Sequence, residues 1–362
     1  MDIKNIILVI HDLKGNGAER VVLTLADGFI QQGHSCHVVC FKNLQELPSK
    51  RQIIPFVFPM KLFRWIPRKI RGQLVAPLFD YLIQKKYGKP DLILSNLLPV
   101  DRILCHSKLK NVFMVIHSTF SKEFQFDNGD ERSLQKKKEI LTSIYCKKEL
   151  VCVSEGVKDD LQKVFNCEIK AHRIYNPIDV KFIQEQSTKQ LENHNVLPTS
   201  YLLHVGKFNN AKRQDFLIRA YALSGIKTPL VLLGQGPLRE KCENLVKELN
   251  IEDKIIFYGF SKNPYPIIRD AKTLLLSSAY EGLGMVILEA IALGVSVIST
   301  DCDSGPREIL PKDNLVPVDS IELFSEAIKR VDRKPEKYLC KLDIKFTKEI
   351  ALRQYLLLTP ST

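Results

Sequence analysis

The sequence is short of long apolar runs. Its amino terminus offers only the five apolar residues Ile6 to Ile10, too few for a secretory leader core or for a membrane span, which takes about 18. No later segment reaches that length, so a cytoplasmic protein is expected. Ordered cysteine spacing is also missing. The nine cysteines are odd in number and scattered, with no CxxC pair, which points to buried reduced thiols and away from a disulfide framework or a zinc site. Acid is in deficit: 41 Asp and Glu stand against 53 Lys and Arg, a net charge of +12. Such an excess asks for an anionic partner: a phosphorylated substrate, nucleic acid or an acidic membrane surface. What is present, 45% apolar and 26% charged residues over 362 positions, is the balance of a globular chain with room for two domains.

Short β-branched runs alternate with helix-length amphipathic stretches. Ile6 to Ile10, His37 to Phe41, Asp91 to Ser95, Val112 to His117 and Leu150 to Ser154 read as buried parallel strands. An amphipathic helix from Ala18 to Gln31, closed by Gly33, separates the first two. After Asn176-Pro177 the pattern restarts with Tyr201 to Gly206, Leu230 to Gly234, Lys254 to Gly259, Thr273 to Ser278 and Ser296 to Thr300. The polar stretch Glu185 to Ser200 reads as a linker or surface excursion. Alternation of this kind predicts an α/β chain of two doubly wound parallel-sheet domains, divided near residue 180. Such sheets take ligands at the carboxyl ends of their strands, so a cleft between the domains is the expected site.

The segment Ser277 to Ala290 carries the most chemistry. A strand ends, Gly282 and Gly284 turn the chain, and an apolar helix begins near Met285. Free backbone N–H groups and the positive dipole end at such a start suit a phosphate, and glycine lets it approach. Glu281 sits at the strand mouth. Glu289 lies one turn into the apolar MVILEAIALG helix, where a carboxylate needs donors: sugar hydroxyls, or a cap or ion pair within its own domain. Lys207 and Lys212 follow a strand and precede a helix, a setting for phosphate as well as for plain surface charge. His117 at a strand end is either a site residue or a structural histidine. Glu19 either contacts a ligand or only complements the dipole of its helix. Asp301-Cys302-Asp303 has the D-x-D spacing of some metal sites, a pattern too short to carry the reading alone.

Glu281 and Glu289 form an E-x7-E pair whose setting resembles that of glycosyltransferase family four, retaining enzymes of GT-B architecture. Other matches fall in order: Gly15-Asn16-Gly17-Ala18-Glu19-Arg20, Ile116-His117, Val153-Ser154-Glu155-Gly156-Val157, Asn176-Pro177-Ile178-Asp179, His204-Val205-Gly206-Lys207, Lys212, Leu233-Gly234-Gln235-Gly236-Pro237 and Ser304-Gly305-Pro306-Arg307-Glu308. The resemblance covers most of the chain. It implies two Rossmann-like domains facing a central cleft: 1–180 on the acceptor side, 181–345 for the nucleotide sugar, and a closing helix within 346–362 crossing back to the first.

It also implies roles. Lys207 and Lys212 hold the donor diphosphate, and Glu289 accepts from the nucleotide ribose. Glu281 contacts the transferred sugar near the reacting carbon. The backbone of Gly282, Leu283 and Gly284 approaches sugar and phosphates, and Tyr258, Gly259 and Phe260 border the base. Gly15, Gly17 and His117 line the acceptor-side wall; Glu19 is a further acceptor-side candidate, and His117 joins Glu281 as a candidate catalytic residue. No metal and no cofactor is implied, since lysines and helix dipoles neutralise the diphosphate. Two departures stand out: Lys207 occupies a position where the family commonly has Arg, and Arg213 one where it commonly has Gly.

From Lys50 to Lys89 there are ten Lys or Arg against the single acid Asp80, with Phe56, Phe58, Phe63, Trp65 and Phe79 interleaved. Met60 to Arg71 mixes basic and aromatic residues as interfacial segments do. The expectation is therefore a retaining enzyme at the inner face of the cytoplasmic membrane. It moves a hexose or N-acetylhexosamine, from UDP in preference to other nucleotides, to a lipid-linked or lipopolysaccharide-type glycan. Three alternatives fit the sequence less well. A nicotinamide dehydrogenase lacks the third glycine, where Arg20 stands, and an acid after HVVCF. No nucleic-acid-binding module appears, so nucleic acid is not expected as a partner. A catalytically silent scaffold would not need Glu281, Glu289, Lys207 and Lys212.

Overall fold

The computed structural model describes residues 2–15, 17–44, 53–126, 130–165, 168–191 and 197–360. The chain divides into two compact units: Met1–Ile178 together with Lys345–Thr362, and Asp179–Ile344. Asn16 of the amino-terminal glycine loop, Lys50 and Arg51 of the basic stretch, and Cys167 lie outside the described residues.

Among the described residues, unit 1 holds seven strands: β1 (Asn5–Ile10), β2 (Ser35–Cys40), β3 (Phe56–Val57), β4 (Leu92–Asn96), β5 (Val112–Ile116), β6 (Glu149–Cys152) and β7 (Ala171–Arg173). They form one parallel sheet in the order β3-β2-β1-β4-β5-β6-β7. Ile6 to Ile10 are fully buried, because helices cover both faces of a parallel sheet and leave no strand face for water. Such burial yields about 1.5–3 kcal/mol per large aliphatic side chain. β3 and β7 escaped the sequence reading, since two or three residues cannot display a periodicity.

Unit 2 holds β8 (Leu202–Val205), β9 (Leu230–Leu233), β10 (Ile255–Gly259), β11 (Thr273–Leu276), β12 (Ser296–Thr300) and β13 (Leu315–Val316). The order is β10-β9-β8-β11-β12-β13, again all parallel. In each sheet the chain reverses its direction of travel at one place, between β1 and β4 and between β8 and β11. A doubly wound sheet leaves its ligand crevice at that reversal.

The polar 185–200 stretch is helical at its start, where Val180–Ser187 is capped by the Asp179 carboxylate accepting from the Phe182 N–H at 3.0 Å. The closing helix Lys348–Leu356 packs in unit 1 against the helix Gly17–Gln31. Ile178 N–H donates to the Phe346 carbonyl at 3.0 Å, and the rings of Tyr175 and Phe346 meet edge to face at 4.8 Å. Among the described residues seven cysteines are free, but Cys146 is disulfide-bonded. That corrects the expectation of reduced thiols throughout, for a pairing made by tertiary approach leaves no local spacing signal. Among the described residues, no helix is long and apolar enough to cross a membrane.

Candidate functional site

In unit 2 the carboxyl ends of β8 and β11 carry two loops that are stitched together. Ala279 N–H donates to the Ala211 carbonyl at 2.8 Å, and Ser277 Oγ to the Lys212 carbonyl at 2.8 Å. The effect is to bring Lys212 Nζ into a direct ion pair with Glu281 Oε1. Ser278 Oγ donates to the same oxygen at 2.6 Å, and Ser304 Oγ donates to the Glu281 carbonyl. Glu281 is thus fixed in backbone and carboxylate, with its side chain about 10% exposed. Three residues later Gly284, at φ +85, opens the helix Met285–Ala292 with no side-chain cap. A left-handed φ of this kind is cheap only for glycine. Gly282, Leu283 and Gly284 are buried beside it. Leu283 is covered by the next loop so closely that a Cβ on Gly305 would lie 2.5 Å from its carbonyl oxygen. Glu289 is 7% exposed on that helix.

Lys207, exposed at the end of β8, forms no ion pair with a described residue. Its carbonyl accepts from Gln214 Nε2 at 3.1 Å, so the loop that carries it is braced from a buried amide. Nearby backbones close up without room for side chains. A Cβ on Gly234 would lie 2.0 Å from the Gly206 carbonyl oxygen, and one on Gly236 2.3 Å from that of Phe208. Gly234 N–H in turn donates to the Gly259 carbonyl at 2.8 Å. These contacts bring the Tyr258-Gly259-Phe260 corner of β10 up to the Gly206-Lys207 corner of β8. Phe260 is partly exposed there at 36%, while Tyr258 is buried.

Arg213 sits at φ +49, in left-handed space. This gives a backbone reason for a glycine at that place in relatives, and here the strain is offset by an ion pair to Asp319 and a cation–π contact with Phe216 at 4.7 Å. Asp301 and Asp303 both face Arg307, at 2.9 and 3.7 Å, and no cluster of metal-ligating side chains occurs among the described residues. His204, quoted within a motif, was given no role by the sequence. It is fully buried, its Nδ1 2.9 Å from the Leu275 carbonyl, and burial holds its imidazole near a pKa of about 4.

In unit 1, Gly15 lies at φ +128 and its N–H donates to Glu19 Oε2 at 3.1 Å. Glu19 is 2% exposed in the first turn of the helix that Gly17 opens. His117 follows β5. Its Nε2 is 2.9 Å from Asn96 Oδ1, and the Asn96 amide nitrogen is already spent on the Val9 and Leu94 carbonyls. His117 therefore donates from Nε2, and its Nδ1, with no partner among the described residues, keeps a lone pair. Burial pushes the pKa of this ring down to about 4, so it is neutral at pH 7. Asn96, Ser278, Ser304 and Gln214 were missed as supporting residues. Only Ser278 and Ser304, inside quoted motifs, had left a trace in the sequence.

Comparison with known proteins identifies the family. Residues 15–182 match the model of Glycosyltransferase Family 4, and residues 162–340 that of Glycosyl transferases group 1. A Campylobacter jejuni N-acetylgalactosamine-N,N'-diacetylbacillosaminyl-diphospho-undecaprenol 4-alpha-N-acetylgalactosaminyltransferase is 32% identical over 195 residues, 52% of each chain. The lipopolysaccharide 1,6-galactosyltransferase of Escherichia coli is 32% identical over 176 residues, 47% of each. The chain thus spans about half the length of these curated relatives. Among solved structures, Anabaena HepE in complex with UDP-glucose superposes with a TM-score of 0.76 at 16% identity, over 98% of both chains. Covered from residue 15 to residue 340 by two successive family models, and built of two doubly wound parallel-sheet units, the chain belongs to glycosyltransferase family 4, with the GT-B fold.

Proposed function

We propose that this chain moves a hexose or N-acetylhexosamine from a UDP-sugar to a lipid-linked or lipopolysaccharide-type glycan, with retention of anomeric configuration. The observation that carries the reading is the β8/β11 crevice. There Lys207 and Lys212, a carboxylate held by Lys212 and Ser278, and an uncapped helix start at Gly284 stand together at the reversal of the sheet. The donor diphosphate sits between the two lysines and the first turn of the Met285–Ala292 helix, and Glu289 accepts from the ribose. Lys212 then exchanges part of its ion pair with Glu281 for phosphate oxygens, which frees Glu281 to accept from hydroxyls of the transferred sugar. As the glycosidic bond breaks, charge builds on the leaving diphosphate, and fixed ammonium groups stabilise that charge more than the ground state. In the retaining reading the acceptor hydroxyl enters on the leaving-group face and gives its proton to the departing diphosphate. No side chain is needed as nucleophile.

The Campylobacter and Escherichia relatives act, by name, on a diphospho-undecaprenol glycan and on lipopolysaccharide, and HepE holds UDP-glucose. These names support the acceptor class and the nucleotide. Unit 1 presents the acceptor, with the His117 Nδ1 lone pair and the Gly15–Glu19 turn as its polar contacts. Incubation with UDP-galactose, UDP-glucose and their N-acetylated amines, plus a polyprenyl-diphosphate disaccharide, tests the reading. An α-linked product by proton NMR, with release of UDP, is expected from these α-donors. A β-linked product contradicts retention, and turnover with GDP- or ADP-sugars alone contradicts the nucleotide.

A further inference from the structure

Unit 1 has a cavity of about 420 Å³ that none of the roles above uses. It lies at the β1/β4 reversal of the first sheet, where His11 follows β1, Lys42 follows β2, and Leu98 and Arg102 stand on the helix after β4. Lys61 and Arg64 reach it from the turn that starts at Met60, and Arg68 from the first turn of the helix Arg68–Tyr87. No carboxylate lines it among the described residues. Asp12 lies 4.0 Å from His11 Nε2. None of Lys42, Lys61, Arg64, Arg68 and Arg102 forms an ion pair with a described residue. Six cations, Arg71 included, line one cavity with no ion pair to a described residue; they repel one another, and the repulsion is relieved by an anion that enters.

Two further residues build the convergence. Arg71 donates to the Ile66 carbonyl at 3.0 and 2.6 Å and to the Arg64 carbonyl at 2.9 Å, so it holds the turn that carries Arg64. Gly72 lets the two helices touch, since a Cβ there would lie 2.2 Å from the Arg102 carbonyl oxygen. Phe41, Met60, Leu98 and Pro99 give the same cavity an apolar wall. Its volume falls within the range of about 300–1,000 Å³ typical of ligand pockets, more than a lone phosphate fills.

We propose that this cavity seats a phosphate or diphosphate ester on the acceptor, gripped by Lys42, Arg64, Arg68 and Arg102, with the group it esterifies lying along the apolar wall. Guanidinium forks match phosphoryl oxygens in pairs, and a half-open cavity of this volume holds a compact ester. The assignment to the acceptor rests on the function proposed above; the anion site does not.

Isothermal titration of the full chain with inorganic pyrophosphate, farnesyl diphosphate and, separately, UDP tests it. The wild-type protein is expected to bind both diphosphate probes even with UDP saturating. Arg68→Gln with Arg102→Gln is expected to weaken both about 10-fold or more, leaving UDP affinity within about 2-fold. Farnesyl diphosphate binding the tighter of the two marks a lipid diphosphate as the source. Equal affinities mark a phosphorylated sugar, and either result sustains the site. Absence of binding, displacement of both probes by UDP, or unchanged affinity in the double variant overturns it. If that variant melts early, Lys42→Gln with Lys61→Gln, a half-buried and an exposed lysine, carries the test under the same criteria. Loss of UDP binding alone, with arginine-dependent pyrophosphate binding intact, speaks against the donor reading and not against this cavity.

Discussion

Lys212 and Glu281 stand 69 residues apart in sequence and meet as an ion pair. Glu281→Gln keeps the shape and the Ser278 contact but removes the charge. Turnover is expected to fall about 10-fold or more while UDP affinity changes by less than about 3-fold, measured by steady-state kinetics beside calorimetry. Equal turnover would remove Glu281 from the reaction. Gly234→Ala puts a Cβ 2.0 Å from the Gly206 carbonyl oxygen, at a φ of +147. The expected cost is about 3 kcal/mol or more in urea unfolding, with Lys207 displaced as well. His204 gives a pH signature. Its folded pKa of about 4 lies below the ordinary 6.5 because burial disfavours the charged ring. Between those values the unfolded chain binds more protons, so the contribution is complete above pH 6.5 and is lost as pH falls to 4. It amounts to about 3 kcal/mol. His117 acts in the same sense, while Asp101, held up to about 7 by burial, acts in the opposite one. His204→Asn is therefore expected to flatten the fall of Tm between pH 6.5 and 4, as followed by calorimetry. An unchanged slope would mean that the ring is not buried neutral.

At the level of elements, the closing helix Lys348–Leu356 carries Tyr355, fully buried with no partner for its hydroxyl among the described residues. Tyr355→Phe removes an unsatisfied polar group, so stability is expected to hold or rise by about 1 kcal/mol in thermal unfolding. A loss of that size would reveal a hidden partner. The long elements of the fold were legible because each repeats its signal: Ile6 to Ile10 is an unbroken buried run, and the Gly17–Gln31 helix shows its apolar face over 15 residues. β3, β7 and β13 were not legible, since a strand of two or three residues exists only through its neighbours. The site divides in the same way. Glu281 and the Gly284 turn are local and were readable as a strand-to-helix corner. The pairing of Glu281 with Lys212, the Asn96 acceptor that fixes the His117 tautomer, and the Gln214 brace under Lys207 depend on loops that meet only in three dimensions. Arg213 looked like a lost glycine, and its backbone at φ +49 shows the constraint that glycine would have met.

Across the whole molecule, the net charge of +12 concentrates where unit 1 also exposes apolar side chains. Leu62, Trp65, Ile70 and Leu74 are 43–81% exposed beside Arg64, Arg68 and Lys69. Exposed apolar side chains among cations fit an anionic lipid surface. Trp65 is the single tryptophan of the chain, and so its emission reports on this surface alone. A blue shift with phosphatidylglycerol vesicles, reversed at about 0.5 M salt where screening is nearly complete and absent with phosphatidylcholine, is expected. No shift would detach the basic face from lipid. The central claim, a donor diphosphate in the β8/β11 crevice of unit 2, is tested most directly by isothermal titration of UDP, GDP and ADP into the wild-type chain and Glu289→Ala. UDP is expected to bind in the micromolar range, ahead of GDP and ADP, and to lose about 10-fold or more in the variant. Equal binding of UDP to both proteins, or no nucleotide binding at all, would contradict the account.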